Sequence, residues 1–157
     1  MLRISKLTDY GTVVLASLAR EPGRVRSAVE VADTTGIAVP TVRKLLKSLC
    51  RAGLVTSIRG TNGGYRLSRQ PADISAASVI DALDGPVSIT ECSATDSHCD
   101  YESVCNVGSA WQRINVAIRR ALEDISLIDL LRGNSPVPNF RFAGLPVRVE
   151  DATIKKS

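Results

Sequence analysis

The chain has 157 residues, 44% of them hydrophobic, and a formal net charge of +4. That length suits one domain, or one small domain with an extension, and the apolar content is enough for a packed core. No apolar run is long enough to span a bilayer and the N-terminus lacks a signal peptide's apolar stretch and cleavage site, so no membrane role is expected and the expected location is the cytoplasm.

The charge is uneven. Met1 to Gln70 carries twelve Lys and Arg against four Asp and Glu, whereas Pro71 to Ser157 carries eight against twelve. A basic front half points to a polyanion such as nucleic acid, with a merely solvated basic face as the bland alternative.

Leu7, Tyr10, Val14 and Leu18 recur at helical spacing and predict an amphipathic helix from about Lys6 to Arg20, with Thr8 and Asp9 near its start, where oxygen side chains satisfy free amides. Ser27 and Glu30 form a capping-box pattern that starts a second, shorter helix near Ala28, closed by Gly36. Pro40 suits the first turn of a third helix, in which Val42, Leu45, Leu46 and Leu49 make the buried stripe while Arg43, Lys47 and Arg51 share another face with Lys44 beside them. Gly53 ends it. Two helices joined by a tight turn, the second basic on its outer face, read as a helix-turn-helix.

Leu54 to Arg59 has the β-branched content of a strand, and Tyr65 to Leu67 returns as its partner across a turn in which Asn62-Gly63 is a favourable hairpin pair. A basic hairpin directly after a recognition helix is a wing. Arg59 and Arg66 flank its tip, and the glycines there, Gly63 among them, let the backbone approach a phosphate or a narrow groove. Ser75 caps a fourth helix along Val79, Ile80 and Leu83, stopped by Gly85-Pro86. From Val107 through Trp111, Ile114, Ile118, Ala121, Ile125 and Ile128 a heptad-like seam runs for about six turns, which predicts one long helix packed either on the first helix alone or, the favoured reading, against its copy in a homodimer. The tail after Arg132 shows some alternation around Phe140-Arg141-Phe142 but no core pattern, and is expected to be flexible or loosely docked.

Between the fourth and fifth predicted helices lie Cys92, Cys99 and Cys105, three of the chain's four cysteines, with its one histidine, His98, and a set of acidic residues from Asp84 to Glu102. Six and five residues separate the cysteines, too far for the close pairs of a zinc site or a redox dithiol. Three thiolates on an open loop suit an iron–sulfur cluster and leave one ligand position to fill. His98 is one candidate. Asp9 is another, if a partner subunit brings its first helix beside the loop. Either also has a plain reading: Asp9 as a helix-capping residue, His98 as a side chain turned away from its neighbour Cys99. Cys50, on the third helix, reads as a small buried apolar residue.

The opening MLRISKLTDYGTVVLASLA, the wing SIRGTNGGYRL, the three cysteines and the helix WQRINVAIRRAL together resemble the iron–sulfur winged-helix regulators of the IscR and NsrR kind, above all the proteobacterial regulators of the SUF cluster-assembly system. The likeness covers about the first 130 residues. It implies a homodimer, a winged-helix DNA-binding domain, a long dimerisation helix and a cluster, [2Fe-2S] or [4Fe-4S], held by the three cysteines. The IscR kind has equal six-residue steps between its cysteines and a histidine shortly after the third; here the first step is seven and Gly108 stands near the histidine's place. The NsrR kind has an aspartate in its first helix, at a position matching Asp9, that serves the partner's cluster. Arg43 replaces an acidic residue that helps the IscR kind choose between operators.

The expected fold is therefore mainly α with a small β-hairpin. Residues 1–70 form a winged helix-turn-helix, 71–132 a connecting helix, the ligand loop (91–107) and the dimerisation helix, and 133–157 a tail. The expected function is a DNA-binding transcriptional regulator, a repressor of iron–sulfur assembly genes gated by its cluster. Thr41, Arg43, Lys44 and Lys47 would lie nearest the major groove of an operator, with Arg59, Gly63 and Arg66 on the wing. Alternatives are a nitric-oxide or redox sensor of the same fold and, in another class, a cluster carrier or electron-transfer protein. A zinc-stabilised DNA binder is a further rival. One histidine, no nucleophile–base pair and no phosphate loop argue against an enzyme.

Overall fold

A computed structural model of the chain describes residues 4–90, 106–132, 141–142 and 145–146. The elements are α1 (Lys6–Ala19), α2 (Ala28–Thr35), α3 (Val39–Arg51), β1 (Val55–Ile58), β2 (Gly64–Leu67), a 3-10 turn at Pro71–Asp73, α4 (Ala76–Leu83), α5 (Gly108–Glu123), α6 (Leu127–Leu131) and two short strands, β3 (Arg141–Phe142) and β4 (Leu145–Pro146), paired antiparallel.

One apolar cluster holds the first four helices together: Val14, Leu15 and Leu18 of α1, Val31 of α2, and Val42, Leu45, Leu46 and Leu49 of α3 are all buried, and Ile74, Val79 and Leu127 join them from beyond the wing. The stripe of α1 differs from its predicted one. Val14 and Leu18 are core, but Tyr10 lies 40% exposed, and Gly11 faces inward because α4 packs so near that a methyl group there would collide with Leu83. The start of α1 differs too. Its N-cap is Ser5, whose Oγ accepts from the Thr8 amide at 3.2 Å, and neither Thr8 nor Asp9 caps. Ser5 is in turn held by Asp84, at the end of α4: the Ser5 hydroxyl donates to Asp84 Oδ1 at 2.6 Å and its amide to Oδ2 at 3.3 Å.

Ser27 and Glu30 form the predicted capping box, Gly36 closes α2 and Pro40 sits in the first turn of α3. The hairpin pairs Val55 with Leu67 and Ile58 with Gly64, leaving 59–63 as its loop. The turn is not the two-residue Asn62-Gly63 type. The Gly63 amide donates to the Gly60 carbonyl at 2.9 Å, and Gly60, not Gly63, has a positive φ. Gly63 is glycine for room, since a Cβ would press on the carbonyls of Ile58 and Gly60.

The predicted six-turn helix is broken. α5 stops at Glu123, and Ser126 caps α6 through a second capping box with Asp129. The break docks onto the residues that lead into α4: Ala76 N donates to Ile125 O at 2.8 Å and Leu127 N to Ile74 O at 2.7 Å. The apolar spacing carries straight through the break, which hides the cap in the sequence. α5 has no buried residue, and Trp111 and Val116 on it are exposed, as are Tyr10 and Val13 on α1. No helix among the described residues is long and apolar enough to cross a membrane.

Candidate nucleic-acid interface

The residues that bury α3 also aim its other face. With Val42, Leu45, Leu46 and Leu49 fully buried, helical geometry leaves Arg43, Lys44, Lys47 and Arg51 in solvent and Thr41 half-buried at the start. A groove separates this face from the wing. Arg43 and Lys47 line it on the helix side, Ser57, Gly63 and Tyr65 on the hairpin side, and Ser27 at the start of α2. Cys50 lines it as well and packs partly against the core, where burial pushes its thiol pKa up.

Of the residues expected at DNA, the structure brings Arg43, Lys47 and Gly63 to this groove. Arg59 stands exposed in the wing loop. Arg66 does not flank the tip: it pairs with Thr56 two residues into the strand and lines a different groove, with Arg69 and Gln70. β-strand alternation sends Tyr65 and Arg66 to opposite faces of the hairpin, which explains the division.

None of Arg43, Lys44, Lys47, Arg59 and Arg66 is engaged in an ion pair among the described residues. Two arginines elsewhere do form ion pairs. Arg24 pairs with Glu21 at 2.8 Å and Glu30 at 3.8 Å, and Arg119 with Asp81 at 2.8 Å and Glu123 at 3.0 Å. The side-chain hydrogen bonds to those carboxylates lead in raising both guanidinium pKa values. Arg43, Lys44, Lys47 and Arg59 thus present charge to solvent with no carboxylate of the described residues to neutralise it, as a face that meets a polyanion requires.

Cys92, Cys99 and His98, with Cys105, lie outside the described residues. What brackets them is described. α4 ends at Leu83 just before the loop and α5 begins at Gly108 just after it, and Arg119 and Asp81 join the two helices. Asp9 is exposed, with no side-chain partner among the described residues, and lines a largely apolar groove with Ile4, Val79, Leu122, Ile125 and Leu130. Burial alone would raise the Asp84 carboxyl pKa; the hydrogen bonds from the Ser5 hydroxyl and amide outweigh it and hold the group below the usual aspartate range.

Two features escape local sequence reading. Ser5 and Asp84 are 79 positions apart. Arg26 is only 8% exposed, and its backbone forms an isolated antiparallel bridge to Tyr65 of the wing. No local pattern marks either.

A helix-turn-helix whose second helix bears an open basic face, followed by a hairpin that folds back on the link before α2, defines a winged-helix DNA-binding protein. The comparisons agree. Residues 4–133 match the Rrf2 family model, described as "Iron-dependent Transcriptional regulator". Among solved structures, CymR of B. subtilis, the global cysteine regulator of that organism, is 31% identical with a TM-score of 0.66, over 86% of this chain and all of that one. IscR of T. potens is 27% identical with a TM-score of 0.63, over 90% and 95%. CymR of Staphylococcus aureus is 28% identical with a TM-score of 0.58, over 84% and 100%. The chain belongs to the Rrf2 family. It is a DNA-binding transcriptional regulator and not an enzyme.

Proposed function

We propose that the protein is a homodimeric repressor of iron–sulfur cluster assembly genes whose operator affinity is gated by an iron–sulfur cluster on Cys92, Cys99 and Cys105. The observation that carries the reading is the placement of the cysteine loop between α4 and α5, two helices joined to each other, of which α4 packs into the helix-turn-helix core. The iron-dependent description of the family and the likeness to T. potens IscR support it. Three thiolates are the donors that iron–sulfur clusters take, and the group when bound offers its redox and ligand-exchange chemistry to the loop.

The chain's own residues divide the work. Residues 1–70 read DNA: Thr41, Arg43, Lys44 and Lys47 face the major groove, Arg59 enters the minor groove, and Gly63 and Arg66 lie along the wing. Residues 71–132 hold the loop and the subunit contact. The exposed Tyr10, Val13, Trp111 and Val116 give two helices apolar surface for a second copy. Asp9 of the partner subunit fits the fourth ligand position, since its carboxylate is exposed and has no side-chain partner among the described residues; His98 is the rival ligand.

The test is anaerobic purification with iron, sulfide and visible absorbance measured on the wild type and on Cys92→Ala. The wild type should be coloured, with iron and sulfide in stoichiometric amounts, and the variant colourless. Zinc without sulfide in the wild type, or full colour in the variant, overturns the cluster. Asp9→Ala and His98→Ala, assayed the same way, separate the two fourth ligands.

A further inference from the structure

Arg26 lies in the link between α1 and α2, and its guanidinium is buried with no carboxylate in ion-pair range among the described residues. A buried charge must be hydrogen-bonded to be tolerated. Here Nη1 donates to the Ser17 carbonyl at 3.1 Å and to Ser17 Oγ at 3.0 Å, and Nη2 donates to Thr34 Oγ1 at 2.5 Å, while Nε finds no partner among the described residues. Ser17 belongs to the last turn of α1 and Thr34 to the last turn of α2. Neither helix has a basic residue of its own in that turn. The guanidinium therefore sits at the negative ends of two helix dipoles and supplies a buried positive charge to both from outside the helices.

The backbone of the same residue has another partner. Arg26 N donates to Tyr65 O at 2.9 Å and Tyr65 N donates to Arg26 O at 2.8 Å, so the wing is hydrogen-bonded to the residue that ties α1 to α2. The fit is tight: a Cβ on Gly64 would come within 2.5 Å of the Arg26 carbonyl oxygen. An apolar side chain could fill the same space, and replacing a buried charge by one is often neutral or stabilising. The arginine's distinctive contribution is thus geometric, since its planar fork fixes the ends of two helices relative to the strand that carries the wing.

We propose that Arg26 is a positioning residue for DNA reading: its clamp on Ser17 and Thr34 sets the wing's angle to α3, so that Arg59 and the Arg43–Lys47 face engage one duplex together. The proposal rests on the reading of the wing as a DNA contact. A four-member cycle of wild type, Arg26→Met, Arg59→Ala and the double variant, assayed for operator affinity in the full-length protein, tests it. Arg26→Met should weaken binding about tenfold in the wild-type background and less than about twofold once Arg59 is gone, as coupled residues do. Hydroxyl-radical protection in the minor groove should disappear while guanine protection in the major groove persists. Equal losses in both backgrounds, or no loss in either, overturn the proposal while leaving the wing contact in place. An Arg59→Ala variant with unchanged affinity removes the wing contact itself, and this proposal with it. If circular dichroism shows Arg26→Met unfolded, Ser17→Ala with Thr34→Val removes the two hydroxyl acceptors while leaving the arginine, and enters the same cycle with the same two outcomes.

Discussion

Arg119 of α5 grips Asp81 of α4 through both carboxylate oxygens, at 2.8 and 3.3 Å, across 38 residues that include the whole cysteine loop. The pair closes a bracket around that loop. Any change in the loop that moves α5 pulls on α4, and α4 shares its core with the recognition helix. Both side chains are about one-third exposed, so the pair contributes little to stability, under about 1 kcal/mol. In the proposed function its role is transmission. Asp81→Asn should leave the unfolding midpoint nearly unchanged and shrink the difference in operator affinity between cluster-loaded and cluster-free protein. An undiminished difference shows that coupling runs elsewhere, through the 74–76 and 125–127 backbone pairs.

The Ser5–Asp84 contact carries a pH dependence. Asp84 has a lowered pKa in the folded chain, so its unfolded form binds a proton more readily. Its stabilising contribution is complete above the ordinary aspartate value of 3.8 and is lost as pH falls through the lower folded value. Asp129, lowered by its hydrogen bonds from the Ser126 side chain and backbone, acts in the same direction. Melting temperature measured down the acid limb should fall less steeply for Asp84→Asn than for the wild type. Parallel curves would show that Ser5 is held by something else.

Ser126→Ala removes the α6 cap, in which Ser126 Oγ accepts from Asp129 N at 3.2 Å and Ser126 N donates to Asp129 Oδ2 at 2.9 Å. Loss of such a cap costs about 1 kcal/mol. A urea titration should show that decrease. A continuous helix from α5 into α6 would not need the cap and would show none.

Arg59→Ala should weaken operator binding and lower the slope of log affinity against log salt by about 1 or less, as one phosphate contact requires. Gly63→Ala presses on two wing carbonyls and should weaken binding with little change in helical content. Full operator affinity in both variants would place the wing off the DNA.

Much of this was legible because it is local. Apolar spacing marked α1 to α4, and the Ser27–Glu30 box and Pro40 marked where α2 and α3 begin. The illegible parts are set by partners far along the chain. Ser5 caps α1 with Asp84 behind it, Tyr10 is outside because Leu83 draws Gly11 inward, and Arg26 is buried because two helix ends converge on it. The α5–α6 break was hidden for another reason: Ile125 and Ile128 keep the heptad rhythm across a cap that the rhythm does not see. At the candidate site, the basic face of α3 follows from its own periodicity, whereas the groove joining it to the wing depends on tertiary pairing.

In the proposed function, the cluster controls DNA binding. The most direct measurement is operator affinity by anaerobic fluorescence anisotropy on one preparation, before and after the cluster is removed, with iron and sulfide counted in each state. Cluster-loaded and cluster-free protein should differ in affinity by about 5- to 150-fold, the usual range of coupling between two sites, with a Cys92→Ala protein fixed at the cluster-free value. Equal affinities in the two states, with iron and sulfide shown to be present and then absent, would contradict it.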